Sequence, residues 1–265
     1  MRRQCAPRLK GRRLDRVTVA KGSAAQLVGG CAKWTALRDQ RLTRLDRHGK
    51  WLLLRLHGGT TIAVHPRMSG RLVVCAANEL ATASAHPRVV MRLDADRLAV
   101  LNDPRRFGRV IQLPRGTNTP PRTGPDALCV SRSALGEALG ATSRSLKAAL
   151  LDQALVAGIG NIYADEALWL SRLHPGRRAD SLSSAEVTEL RTALRRVLLG
   201  GIARGGTSFD SGYVGGRNQR HLAVYGRSGL PCRRCGTMLS ESKVAGRTTV
   251  VCGACQKGPR GRGGR

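Results

Sequence analysis

Aromatic side chains are scarce in this chain, at 3% of 265 residues. A core built here must therefore come from Leu, Val, Ala and Ile, which help lift the hydrophobic share to 41%. Acid is scarce as well: 17 Asp and Glu stand against 46 Lys and Arg, a net charge of +29. No apolar run approaches the roughly 20 residues that span a bilayer, and MRRQCAPRLKGRR lacks the apolar centre of a signal peptide. A basic protein of the membrane surface would need an apolar helical face with aromatic anchors, and the sequence offers none. These absences leave an intracellular, cytoplasmic protein with a polyanionic partner, nucleic acid first of all. The length suffices for two domains and a real core.

Of eight cysteines, Cys5, Cys31, Cys75 and Cys129 are scattered in apolar or mixed surroundings and read as reduced, buried small hydrophobes. Cys232, Cys235, Cys252 and Cys255 follow C-x2-C-x16-C-x2-C, the spacing of a tetrahedral structural zinc site. Two disulfide loops are the competing reading, disfavoured by a reducing compartment. Four thiolates would leave no open coordination position, so one Zn2+ here is structural, and a module this small depends on it to fold.

Residues 1–115 are rich in strand signals: alternation over 13–19, 50–57 and 60–65, a turn at His57-Gly58-Gly59, and short runs at 70–74, 88–93, 98–101 and 108–113. A β-sandwich follows. Residues 116–130 read as a linker, beginning in a stretch (114–126) dense in Pro and Gly. The block 131–221 is helical up to 204 and then a glycine-rich loop, 205–221; Ser183 and Glu186 make a capping box. Residues 222–257 form small hairpins around zinc, and 258–265 a disordered basic tail. The fold class is α+β.

Residues 147–166, KAALLDQALVAGIGNIYADE, carry most of the functional signal. A helical run with Leu150, Leu151, Ala154 and Leu155 breaks at Gly158-Ile159-Gly160-Asn161, and a second helix starts at once. Two glycines permit a tight turn with positive φ. Bare N–H groups at the second helix start suit phosphate, with Asn161 as an added donor. A plain corner between packed helices would look the same.

The wording of this stretch, continued through Leu173-His174-Pro175, resembles the helix-two-turn-helix of the formamidopyrimidine-DNA glycosylase family. Gly49-Lys50-Trp51-Leu52-Leu53, Asp103-Pro104-Arg105-Arg106-Phe107-Gly108 and the four cysteines agree in order, and the likeness runs from about Arg2 to Lys257. It implies a helix in the first dozen residues. It also implies monomeric, nucleoid-associated binding of damaged double-stranded DNA in a basic cleft between two lobes, and excision of oxidised purines such as 8-oxoguanine and formamidopyrimidines. By resemblance, Lys50, Asn161 and Arg247 hold phosphates, Lys147 joins the DNA-contacting set, and Met68, Arg105 and Phe107 fill the gap left by an everted base. Loop 205–221 would help enclose that base. By residue type alone, Lys50 reads as a surface charge and Met68 and Phe107 as core. Pro66-Arg67 departs from the family's usual wording before the Met.

The family's nucleophile is an N-terminal proline followed by Glu, in an opening Pro-Glu-Leu-Pro-Glu-Val-Glu. Here Met1-Arg2-Arg3-Gln4-Cys5-Ala6-Pro7 matches the residues just after that opening, and the first glutamate is Glu79. No catalytic residue is therefore assigned. Either the start lies upstream of Met1, the favoured expectation, or the protein is a catalytically silent damaged-DNA sensor.

Overall fold

A computed structural model describes residues 1–20, 27–28 (backbone), 34–94, 96–207 and 216–258. Two compact units divide the chain at Pro121/Arg122.

Among the described residues of the first unit, helix α1 (Arg2–Leu9) precedes nine strands: β1 (Leu14–Val19), β2 (Leu27–Val28), β3 (Leu42–His48), β4 (Trp51–Leu56), β5 (Thr61–His65), β6 (Arg71–Ala76), β7 (Pro87–Leu93), β8 (Arg97–Asn102) and β9 (Arg109–Leu113). A short helix α2 (Leu80–Ala83) lies between β6 and β7. The strands form a sheet ordered β1-β7-β8-β6 and another ordered β2-β9-β5-β4-β3. Their shared core is aliphatic: Leu52, Leu54, Ile62 and Val64 from one sheet, Val89, Met91, Ala99 and Leu101 from the other. Leu53, Ala63 and Leu113 make a second, outer cluster. This explains why β4 and β5 read as continuous apolar runs: both faces are covered. Strand β3 escapes the sequence pattern because it is an edge strand. Only Leu42 and Leu45 are buried, while Asp46 pairs at the surface with Arg44 (2.8 Å) and Arg55 (3.0 Å).

The second unit holds α3 (Arg132–Gly140), α4 (Leu146–Leu151), α5 (Asn161–Leu170), α6 (Ser184–Ala203) and one hairpin, β10 (Ser240–Val244) and β11 (Arg247–Val251). The expected capping box is present: the Ser183 hydroxyl accepts from Glu186 N–H, and Glu186 accepts from Ser183 N–H. Leu135, Leu150, Ile159, Leu168, Leu190 and Leu194 share one buried cluster.

Three expectations change. Helix α4 stops at Leu151, before Ala154 and Leu155, because side chains take over the backbone groups that would continue it. Asp152 accepts from Ala154 N–H, while Gln153 donates to the Leu151 and Ile159 carbonyls and accepts from Gly158 N–H. Of the two loop glycines only Gly158 has positive φ (110°); Gly160 is extended at −117° and forms the N-cap. Cys5 and Cys75 are buried as expected, but Cys129 is exposed; Cys31 lies outside the described residues, as do 208–215 of the expected loop and 259–265 of the expected tail. Asn218–His221, inside the expected loop, is a 3-10 turn.

Candidate nucleic-acid interface and metal centre

Strand pairing gathers four sequence-predicted residues at one end of one sheet. Leu52 of β4 faces Val64 of β5, and His65 of β5 faces Arg109 of β9. The Gly49-Lys50 turn before β4, the 66–70 loop after β5 and the 103–108 loop before β9 therefore leave the sheet at the same end. Lys50, Met68, Arg105 and Phe107 sit on these three segments. Met68 is 71% exposed and Phe107 56% exposed. Large apolar side chains this open are not core, and two on adjacent loops mark a contact surface.

His65 closes the sheet beneath this surface. It is buried, meets Trp51 edge-on with ring centroids 4.8 Å apart, and accepts from Arg67 N–H through Nδ1 at 2.9 Å. Burial, reinforced by the charges of Arg67 and Lys50, pushes its pKa down to about 4. An unfolded histidine takes a proton near 6.5, so the contribution of neutral His65 is intact above that pH and is lost as pH falls from 6.5 towards 4. The expected loss is about 3 kcal/mol. Urea unfolding of the chain and of His65→Asn at pH 7 and 4.5 checks this: the stability gap between them should shrink on acidification, and a constant gap would remove His65 from the account.

In the second unit α5 is the hub. Its N-cap is Gly160, no side chain caps it among the described residues, and its first turn holds no acid. Its buried Asp165 pairs with Lys147 Nζ at 2.6 Å and accepts from Val250 N–H at 3.3 Å. Glu166 accepts from the N–H groups of Ala223, Val224 and Tyr225 at 2.8–3.0 Å. Thr248 O accepts from both Lys147 Nζ (2.8 Å) and Asn161 Nδ2 (3.0 Å). Lys147, expected among the DNA-contacting residues, is enclosed by protein rather than open to solvent. Its side chain is 0% exposed, and its ammonium group is used by Asp165, Thr248 O and the Thr249 hydroxyl. Burial pushes Asp165 up and Lys147 down, and each keeps the other charged. Asp165 and Glu166 stood in the sequence as one more acidic pair on a helix; only their tertiary partners show that they lock the hairpin and the 223–225 segment onto α5.

Arg247 opens β11 opposite Val244, across an Ala245-Gly246 turn with φ of 51° and 70°. It is exposed, at the tip of a hairpin anchored by Lys147 and Asn161. Below it, the thiols of Cys232, Cys235, Cys252 and Cys255 lie within 4.8 Å of one another, with Cys235 and Cys252 at 3.4 Å. A tetrahedral ion with Zn–S bonds of about 2.3 Å sets sulfurs roughly 3.8 Å apart, so the donor set fits one structural Zn2+. Trp169 of α5 donates through its indole N–H to Cys232 Sγ at 3.4 Å, and Arg234 stacks over the Trp169 ring at 4.2 Å.

A β-sandwich, a helix-two-turn-helix and a four-cysteine zinc finger together define a nucleic-acid-binding repair architecture. The chain belongs to the formamidopyrimidine-DNA glycosylase family. Residues 1–110 match the formamidopyrimidine-DNA glycosylase N-terminal domain, 124–211 its H2TH domain, and 229–258 the zinc finger found in FPG and IleRS. A formamidopyrimidine-DNA glycosylase of Heliobacterium modesticaldum is 41% identical over 97% of both chains, and one of Herpetosiphon aurantiacus is 40% identical over 83% of both. The crystal structure of the MutM (Fpg) protein from Thermus thermophilus superposes with a TM-score of 0.81 at 36% identity over 97% of both chains. Lactococcus lactis Fpg in complex with abasic-site DNA gives 0.84 at 28% identity over 97% of both. Among the described residues no helix is long and apolar enough to cross a membrane.

Proposed function

We propose that this protein recognises oxidised purines, 8-oxoguanine and formamidopyrimidines among them, in duplex DNA, and that its family chemistry is base excision followed by strand cleavage at the abasic site. The observation that carries the reading is the pair of open apolar side chains, Met68 and Phe107, beside the Lys50 turn. Excision requires the base to leave the stack. Met68 and Phe107 have the apolar shape to occupy the void, and Arg105 can hydrogen-bond the base left without a partner. The abasic-site complex of the Lactococcus lactis relative supports the same reading. The contacts of Lys50, Asn161 and Arg247 are with backbone phosphate, and Lys147 is left out of that set.

Loss of a phosphate contact weakens binding to all sequences alike and lowers the salt dependence. Lys50→Ala and Arg247→Ala should each reduce affinity for damaged and undamaged duplex by similar factors, and each should lower the slope of log K against log salt by about one unit. Asn161→Ala should weaken both duplexes with little change in slope. A lesion-specific effect of Lys50→Ala or Arg247→Ala, or an unchanged slope for both, argues against these roles.

A further inference from the structure

Met68 and Phe107 lie 39 positions apart in sequence, yet a single buried carboxylate holds both of their loops. Asp103 is fully buried. Its Oδ1 accepts from the Ser69 hydroxyl at 2.5 Å and from Arg105 N–H at 3.3 Å. Its Oδ2 accepts from Gly108 N–H at 2.7 Å. The backbone of Asp103 is fixed in turn: its N–H donates to His86 O at 2.9 Å, and its carbonyl accepts from Arg88 Nε at 2.8 Å. So Ser69, next to Met68, and Arg105 and Gly108, on either side of Phe107, converge on one side chain.

Both loops are also strained in the same way. Arg67, just before Met68, has φ of 57°, and Arg106, just before Phe107, has φ of 62°. For a residue with a Cβ this conformation is disfavoured and persists only where surrounding structure imposes it. The glycines show how tightly it is imposed. A Cβ on Gly70 would stand 2.3 Å from Pro66 O, and one on Gly108 would stand 2.9 Å from Leu101 and 3.2 Å from the Asp103 carboxylate.

We infer that Asp103 is a positioning residue that joins the 66–70 and 103–108 loops into one rigid unit, so that Met68 and Phe107 enter DNA as a single wedge rather than as two independent side chains. This rests on the proposed role of those side chains in filling the void. A bond from Ser69 to a carboxylate is charge-assisted, stronger than a neutral one, and Ser69 supplies the only limb from the Met68 loop among the described bonds to Asp103.

The test is a double-mutant cycle. Affinity for a duplex carrying a tetrahydrofuran abasic analogue is measured for the unaltered chain, Met68→Ala, Phe107→Ala and both together, and the cycle is repeated in a Ser69→Ala background. 2-Aminopurine opposite the analogue reports insertion, undamaged duplex reports phosphate grip, and thermal unfolding reports the fold. In the unaltered chain the combined loss should differ from the product of the single losses by about threefold or more. In Ser69→Ala it should match the product within about twofold. The 2-aminopurine signal should fall while affinity for undamaged duplex stays within twofold, and Ser69→Thr, which keeps the hydroxyl, should restore both signal and coupling. Equal coupling in the two backgrounds would overturn the joint wedge. So would parallel losses on both duplexes with a lowered melting temperature, which would make Asp103 a fold determinant only. No preference of the unaltered chain for the abasic duplex would instead remove the void-filling reading beneath it.

Discussion

Joining Met-Pro-Glu-Leu-Pro-Glu-Val-Glu ahead of Met1 and trapping with borohydride on an abasic-site duplex should turn a chain that binds into one that forms a covalent complex. Attack on the sugar C1′ needs a neutral amine at the electrophile and a carboxylate to move protons. Among the 265 residues the candidate amines are the Met1 α-amine and Lys50, the latter on the turn beside the Met68 and Phe107 loops. Met1 is committed to structure: its carbonyl accepts from Gln4 and Cys5 N–H at the start of α1, and its Sδ accepts from Leu72 N–H at 3.4 Å. In the family the nucleophilic proline stands about eight residues ahead of the position that Met1 matches, up to roughly 26 Å of extended chain. Lys50 is expected on phosphate, and a nearby anion favours the charged, non-nucleophilic ammonium. The 265-residue polypeptide should therefore bind and trap little, and the extended form should gain on the order of 100-fold or more, since general acid–base assistance alone contributes about 10²–10⁴-fold. Efficient trapping and strand cleavage by the 265 residues would point to a different nucleophile. A head that restores nothing, with binding intact, would favour the silent sensor.

Metal loss should have the next largest effect, and it should spread. Purified protein is expected to hold one zinc, and Cys235→Ser or chelation should release it. Ligation supplies most of the stability of so small a module. The hairpin it supports covers the Lys147–Asp165 pair: Thr248 O, the Thr249 hydroxyl and Val250 N–H are all partners of that pair. Unfolding the hairpin uncovers a buried ion pair and removes the scaffold of Arg247, so the second unit should lose several kcal/mol and DNA affinity should fall by on the order of tenfold or more, one such step being about 1.4 kcal/mol. Metal analysis, calorimetry and duplex titration measure each part. Zinc-free protein with unchanged melting and affinity would sink both the metal centre and this coupling.

The sequence determined what depends on local rules and on fixed spacing. The C-x2-C-x16-C-x2-C pattern sets four thiolates around one ion wherever the module sits. The apolar runs of β4 and β5, the Ser183–Glu186 capping box and the Gly158 turn are legible because each is a short-range preference of backbone or burial. A net charge of +29 fixes a polyanionic partner without any fold. Tertiary structure decided the rest. Lys147 and Arg247 are both basic residues in promising motifs, but one is enclosed by Asp165, Thr248 and Thr249 while the other stands free of burial at a hairpin tip. Met68 and Phe107 have core chemistry, and only the pairing of β5 with β9 sets them open and adjacent. Asp103 looked like one acid in a motif until Ser69, Arg105 and Gly108 were seen to meet on it. Such roles come from contacts between segments far apart in the chain, and a burial state or a hydrogen-bond partner set at that range leaves no period or spacing in the sequence to read.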